Sequence, residues 1–579
     1  MALVSEGRRE WVVGELGMLY AKAINVPLSI KIDELAELKF RIAHSGARLA
    51  MVSKNHLQKI RSIKSDLPDL EKVILIDEVE SMEDDEMLFS DIMAKGKDFL
   101  ANKDNMTSFN NLWQSIKEED IANISYTSGT TANPKGIMLT HRNYTANVEQ
   151  SVNLVKIQSY FKTLLILPLD HAFAHTCGTY CMFSYGASFG FIQQGNTPLE
   201  TLKNIPHNIK ELKPHLLLSV PALAKNFKKN IIAGVKAKGP KVEKLFNKAL
   251  KLAYEYNGLG FDKGKGKSVF QKIMLSVYDK IIFKKIRDNF GGNLEYFIGG
   301  GAFLDLDIQK FFYAIGIPMY QGYGLSEASP VISSNSKEVH KLGTSGTVAP
   351  WIDIKIVNEQ GQSLAPMEKG EIMIKGENVM KGYWNNPAAT EETLEDGWLH
   401  TGDLGYMDDD GFLYVLGRQK SLLISSDGEK YSPEGIEEAL TEKSPYIEQV
   451  LIYNDHSPYT VGLIFPNRAK LLEALQEKGL TCHQEEGQNY ALELIEHDIE
   501  AFIDGKYKEE FPSRWLPTSI AILGEGFTEQ NHFLNSTLKM VRPKIVDFYK
   551  TRIEYMFTPE GKKLTNPQNK RIISRIDHV

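Results

Sequence analysis

Residues 126–136 read YTSGTTANPKG, a loop dense in hydroxyls and glycine with a lysine near its end. Ser128, Gly129, Thr130 and Thr131, with Thr127 beside them, offer side-chain O–H and backbone N–H donors to phosphate oxygens, and Lys135 adds a point charge. Thr130 or Thr131 also has the oxygen needed to meet a metal ion. In the commoner phosphate loop a lysine directly follows the second glycine and opens a helix. Here Lys135 follows Pro134 and precedes Gly136. Proline removes a backbone donor and fixes φ, so this loop is not expected to run straight into a helix. Taken alone, the stretch reads equally as an ordinary turn.

Working outward, ANISYTS (122–128) reads as the strand feeding the loop and RNYTANVEQSVNLV (142–155) as the helix after it. EWVVGELGMLYAKA (10–23) has a helical pattern, while ARLAMVS (47–53), KVILID (72–77), TLLILPL (163–169), SFGFIQ (188–193) and LLLSVPAL (216–223) read as buried strands. Strands alternating with helices predict a mostly parallel, layered α/β body. After about residue 340 the texture changes to short alternating strands with Asp-Gly turns, DIKIVN, GEIMIKG and GFLYVLG, which predicts a β-rich subdomain. A boundary falls near Gly417 to Lys420, so residues 1–417 form a large domain and 418–579 a small α+β one.

Composition agrees with this division. A chain of 579 residues exceeds what a single hydrophobic core supports, and 42% hydrophobic with 24% charged residues marks it as globular. No apolar run approaches the roughly 18 residues needed to span a bilayer, and no secretory signal opens the chain. Three cysteines, Cys177, Cys181 and Cys482, do not make a disulfide framework. A reducing cytoplasm is the expected compartment.

The net charge of −7 conceals an asymmetry. Between Lys225 and Asp288 there are 17 Lys plus Arg against 5 Asp plus Glu, leaving this stretch at +12 and the remainder at −19. Apolar residues recur at helical spacing within it, as Phe246, Leu250, Leu252 and Tyr256, and as Ile273, Val277, Ile281 and Ile282. Two readings stand: a solvated helical insertion, or a basic surface docked at the inner face of an anionic membrane. No recognition motif accompanies the charge, so nucleic acid is not an expected partner.

The phosphate loop is followed by QGYGLSE (321–327), WLHTGD (398–403), GRQKSLLISSDGEKYSPEGIE (417–437) and STLKMVR (536–542). In this order the blocks resemble the adenylate-forming superfamily of acyl-CoA synthetases, luciferases and peptide-synthetase adenylation domains. Within it the chain is most similar to long-chain fatty acid–CoA ligases. The resemblance implies a mobile small domain that turns about Lys420, and a reaction using ATP, Mg²⁺ and CoA on a fatty acid. It also implies roles residue by residue. Glu327 pairs with Thr131 around the metal, and Tyr323 stacks adenine between Gly322 and Gly324, with Ser326 beside it. Asp403, in a Thr-Gly-Asp turn, accepts from the ribose hydroxyls, while Arg418 donates to the same edge. Gly300, Gly301 and Ala302, following Gly299, match the loop between the adenine and acyl pockets. Lys539 reaches the α-phosphate and the carboxylate, with Lys544 a nearby competitor. His171 falls where relatives often line the acyl site, and reads equally as a satisfied core histidine; His175 has the weaker claim.

Two departures stand out. Ala132 replaces a glycine of most relatives, at about 1 kcal/mol if that position needs positive φ. The chain also starts inside the region where relatives have a longer N-terminal part, and loss of that part predicts an exposed sheet edge. Three functions are therefore expected to compete: a long-chain fatty acid–CoA ligase, a fatty acyl-AMP ligase loading a carrier protein, and a nucleotide- or lipid-binding protein without turnover.

Overall fold

The computed structural model describes residues 1–126, 134–195, 197–535 and 539–577. By the density of their contacts these fall into two compact units, one of Met1–Thr401 with Tyr406–Tyr414, the other of Gly402–Gly405 with Val415–Val579. The strand Trp398–Met407 thus contributes to both.

In the larger unit, Val26–Pro27, Ala2–Val4, Leu49–Val52, Lys72–Leu75 and Glu86–Leu88 form, in that spatial order, a wholly parallel sheet. A parallel sheet covered on both faces selects near-continuous apolar strands, as in LAMV and KVIL. Successive side chains point to opposite faces. Ala2, Val4, Ala50, Val52, Val73 and Leu75 accordingly join Leu38, Ile42 and Ile60 in one core, while Leu3, Met51 and Ile74 join Trp11 and Val12 in another. Ala2–Val4 lies inside this sheet, whose edges are the two-residue Val26–Pro27 and the three-residue Glu86–Leu88.

The second sheet has seven strands. Met319–Gly324, Tyr296–Gly299, Leu216–Ser219, Lys162–Leu165 and Ser188–Phe191 run parallel, and Val331–Ser334 and Thr347–Val348 extend it antiparallel. The apolar run 216–223 is only half strand. Pro221 takes the first turn of the helix Pro221–Lys236, where its missing N–H costs nothing. Beyond residue 340 the strands Asp353–Val357, Gly370–Lys375, Trp398–Met407 and Leu413–Arg418 form the β-rich part, the first two paired antiparallel.

Lys225–Asp288 is largely helical. In Pro240–Asn257 the face bearing Phe246, Ala249 and Ala253 is buried. In Val269–Tyr278 and the turn after it, Ile273, Val277 and Ile281 face solvent, and only Ile282 of the second apolar set is buried. The helix instead packs through Tyr278, with Met274 and Leu275 against the core.

The smaller unit repeats the layered logic around the sheet Ile447–Tyr453, Val461–Pro466 and Ser519–Ile522. Val450, Ile452, Ile464, Ile520 and Ile522 pack with the helices Glu434–Lys443 and Glu485–Ile503. Leu451, Leu463 and Ala521, on the other face, pack with Ile545, Ile553 and Met556. The molecule is a mixed α/β protein with a large N-terminal and a small C-terminal unit.

Candidate active site

The strands Ile121–Tyr126 and Gly136–Thr140, on either side of residues 127–133 in the chain, pair antiparallel, and no helix follows Lys135 directly. The helix His141–Leu154 begins only after the second strand, under a capping box in which Thr140 and Asn143 exchange bonds. Thr127, Ser128, Gly129, Thr130 and Thr131, together with Ala132, lie outside the described residues.

A third strand, Gly382–Tyr383, pairs with the second, Tyr383 opposite Ile137. Tyr383 is buried, and two of the predicted residues meet on it. The Lys135 ammonium lies 4.7 Å from its ring centroid, and its hydroxyl donates to Glu327 Oε1 at 3.0 Å. A cation over a Tyr face is attracted by the ring quadrupole, while the phenol fixes one carboxylate oxygen. Met380 N–H donates to the Glu327 carbonyl at 2.8 Å, tying the two segments a second time.

Two buried asparagines of the helix His141–Leu154 hold these segments from below. Asn143 Nδ2 donates to the carbonyls of Glu377 and Val379, both at 2.8 Å. Asn147 Nδ2 donates to the Val331 carbonyl at 2.8 Å, and its Oδ1 accepts from Val331 N at 3.0 Å. Asn378 Nδ2 donates to the Ala328 carbonyl, next to Glu327. The backbone that follows the carboxylate, and the segment Glu377–Val379 beside it, are therefore pinned by amide side chains.

The block 321–327 is strand through Gly324, followed by the short turn Ser326–Ala328 that carries Ser326 and Glu327, both half-buried. Tyr323 sits opposite Ser333 across the antiparallel pair. A Cβ at Gly324 would stand 2.0 Å from the Pro330 carbonyl oxygen, so backbone approach there excludes any side chain. At Gly322 it would meet Ser333 O at 3.2 Å. Gln321 Nε2 donates to the carbonyls of Ala302 and Gly322, at 3.1 and 3.0 Å, which joins the 300–302 turn to this strand. Gly300 follows the strand Tyr296–Gly299 with the Phe173 ring 3.2 Å from where its Cβ would be. His171 caps the helix turn that bears Phe173, its Nδ1 accepting from Phe173 N at 3.4 Å. Lys135, His171, Gly300, Gly301, Ala302, Gly322, Tyr323, Gly324, Ser326 and Glu327 are thus joined through Tyr383, Gln321 and Phe173. His175 is a core residue, 2.7 Å from buried Glu15 and ringed by Trp11, Tyr144 and Tyr180.

In the smaller unit, Asp403 and Arg418 come together, Nε to Oδ1 at 3.1 Å, with the carboxylate buried and the guanidinium more than half exposed. The Thr401-Gly402-Asp403 segment is strand, not a turn, although Gly402 has φ of +65°. Lys420 is exposed in the short helical turn Gln419–Ser421. Lys539 sits at a clamped loop end: its N–H donates to Asn535 Oδ1 and its carbonyl accepts from Asn535 N, both at 2.9 Å. Three residues on, Arg542 donates to Glu437 Oε2 at 2.6 Å and to the Ile452 carbonyl at 3.0 Å, fastening the lysine-bearing segment to the sheet. Ile452 N donates to the other Glu437 oxygen at 2.7 Å. Burial pushes the Glu437 carboxyl up to about 7, against the opposing pull of Arg542 and the Ile452 N–H. Lys544 is exposed on the helix Arg542–Phe548.

Sequence reasoning missed Tyr383, Gln321 and Glu437. Tyr383 had a local signal, an aromatic pair between Gly382 and Asn385-Asn386-Pro387. Glu437 had none, because its partner stands 105 residues away.

The AMP-binding enzyme family matches residues 1–384. Probable acyl-activating enzyme 16, chloroplastic, of Arabidopsis thaliana is 30% identical over 77% of this chain, and the match spans 64% of that protein. A chloroplastic long-chain-fatty-acid–acyl-carrier-protein ligase of the same plant is 27% identical, over 96% of this chain and 79% of its own length. A long-chain-fatty-acid–CoA ligase of Mycobacterium tuberculosis is 25% identical, over 97% and 88%. Among solved structures, an anthranilate CoA ligase holding anthranoyl-AMP superposes with a TM-score of 0.67 at 20% identity, covering 96% of this chain and 88% of its own. The adenylation domain of a carboxylate reductase from Mycobacterium chelonae gives 0.70 at 18% identity, over 96% and 80%. With the family model matched over well over half its length, this chain belongs to the AMP-binding enzymes.

Proposed function

We propose that this protein activates a long-chain fatty acid with ATP and passes the acyl group to CoA. The observation that carries this reading is Glu327, held through Oε1 by Tyr383 on the strand that pairs with Gly136–Thr140, with Lys135 over the same ring. A carboxylate and a cation brought together at the end of a hydroxyl-rich sequence stretch suit a magnesium–triphosphate, since hard Mg²⁺ takes carboxylate, hydroxyl and phosphate oxygens. Glu327 and Thr131 would hold the ion, which when bound offsets phosphate charge and polarises the phosphorus centre.

In the first step a carboxylate oxygen of the fatty acid attacks the α-phosphorus, and the bond to pyrophosphate breaks. Lys539 stabilises charge developing on the α-phosphate and carboxylate oxygens. Tyr323 stacks adenine, Asp403 accepts from the ribose hydroxyls, and Arg418 donates to the same edge. In the second step the CoA sulfur attacks the acyl carbon, and AMP leaves with the C–O electron pair. The small domain turns about Lys420 between the two steps, and His171 borders the acyl chain.

The acceptor admits a second reading, favoured by the plant relative named for loading acyl carrier protein. An AMP-release assay with Mg-ATP, carboxylates from acetate to palmitate, and either CoA or holo-acyl carrier protein separates them. Release dependent on palmitate and CoA supports the ligase. Release dependent on palmitate and carrier protein alone moves the reading to the carrier ligase, and ATP binding without release under any condition overturns both.

A further inference from the structure

The helix Val269–Tyr278 is apolar on more than one side. Its inner side packs through Met274, Leu275 and Tyr278. Its outer side carries Val269, Phe270 and Ile273, exposed by 75%, 70% and 57%, and the ridge continues through Val277 and Ile281. Phe270, Ile273 and Val277 recur at i, i+3 and i+7, so they form one stripe. Scattered exposed apolar residues are ordinary on protein surfaces, but a contiguous stripe on one helix is not.

Charge identifies what covers it. Between Gly258 and Asp288 there are eight Lys plus Arg and three Asp. Lys265, Lys267, Lys272, Lys280, Lys284 and Lys285 are all exposed around the stripe. Asp279 is bound to Arg287 through two bonds of 2.6 and 2.8 Å, which removes it as an opposing charge. Lysines bordering a ridge of Phe, Ile and Val match a bilayer surface, where ammonium groups meet lipid phosphates and apolar tips enter the headgroup–acyl boundary. No helix among the described residues is long and apolar enough to cross a membrane, so the contact is with one leaflet. We infer that Val269–Ile281 is a peripheral docking surface for an anionic phospholipid bilayer, seated by its apolar ridge and oriented by the surrounding lysines. This inference does not depend on the acyl acceptor or on turnover.

Flotation of the full chain with vesicles of phosphatidylcholine alone, or mixed with phosphatidylglycerol, tests it. The chain floats with the mixed vesicles at low salt and is released as salt screens the lysines. Two double variants, Phe270→Ser with Ile273→Ser, and Lys272→Glu with Lys280→Glu, each lower partitioning by about tenfold or more, as expected for losing buried apolar groups or reversing attractive charges. Both change solvent-facing side chains, so thermal melting and ATP binding stay at wild-type values. Failure of the wild type to float with mixed vesicles overturns the inference, as does flotation that both variants leave unchanged. Lysine-dependent binding of an acidic acyl carrier protein without vesicle binding overturns it too, and assigns the face to a protein partner.

Discussion

Glu327 and Tyr383 show how one hydrogen bond defines a site. Tyr383→Phe keeps the ring under Lys135 but removes the bond to Oε1, leaving the carboxylate free to turn. The expected result is a fall in kcat of about tenfold with little change in KM for ATP, since a positioning contact worth about 1.4 kcal/mol is lost. Glu327→Gln removes the charge itself and is expected to cost on the order of a hundredfold or more in kcat. Gly324→Ala acts differently, because its Cβ meets the Pro330 carbonyl and the strand pair must separate. About 1–3 kcal/mol of stability is expected to go, read as a lowered Tm with adenine affinity falling in parallel. At this scale the sequence was legible where chemistry is local. Lys135 and Glu327, named from their own short stretches, meet on the Tyr383 side chain, while Thr127 to Thr131 lie outside the described residues. Tyr383 was not legible, because it meets Lys135 by pairing with a strand some 245 positions earlier in the chain.

Among elements, the helix His141–Leu154 works as a clamp on the turn that bears Glu327. Asn147→Ala removes the partner of Val331 N–H and C=O at a half-buried place, a loss of about 1–3 kcal/mol. Urea denaturation measures it, and a drop in kcat at temperatures well below unfolding distinguishes clamping from bulk stability. Glu437 does the same beneath the Lys539 segment, with a pH signature. Its folded pKa, raised to about 7, lies above the ordinary carboxylate value, so the folded state keeps a proton that the unfolded chain releases. Stability of the smaller unit therefore falls as pH rises from the ordinary carboxylate range through about 7. Glu437→Gln flattens that slope, as followed by hydrogen exchange of Ile447–Tyr453. Element types were largely legible because a parallel sheet demands apolar strands and helices show their period. Which side of a helix is buried was not. The stripe on Val269–Tyr278 has the spacing of a core face, yet Ile273 and Val277 point to solvent and Tyr278 inward. LLLSVPAL likewise reads as one apolar strand until Pro221 starts a helix inside it.

For the whole molecule, two compact units carry different parts of the proposed chemistry, Glu327 and Tyr323 in the larger, Asp403, Arg418 and Lys539 in the smaller. Lys539→Ala is expected to leave ATP affinity within about threefold while cutting acyl-AMP formation on the order of a hundredfold, because the lysine acts on charge that develops only in the transition state. Thiolysis of supplied palmitoyl-AMP by CoA should stay near wild type. The most direct single measurement is palmitate-dependent exchange of labelled pyrophosphate into ATP with no thiol acceptor present. Exchange by the wild-type chain is expected, lowered on the order of a hundredfold or more by Glu327→Gln and by Lys539→Ala. Binding of ATP without exchange for any carboxylate offered, or full exchange by the Glu327→Gln variant, would contradict it.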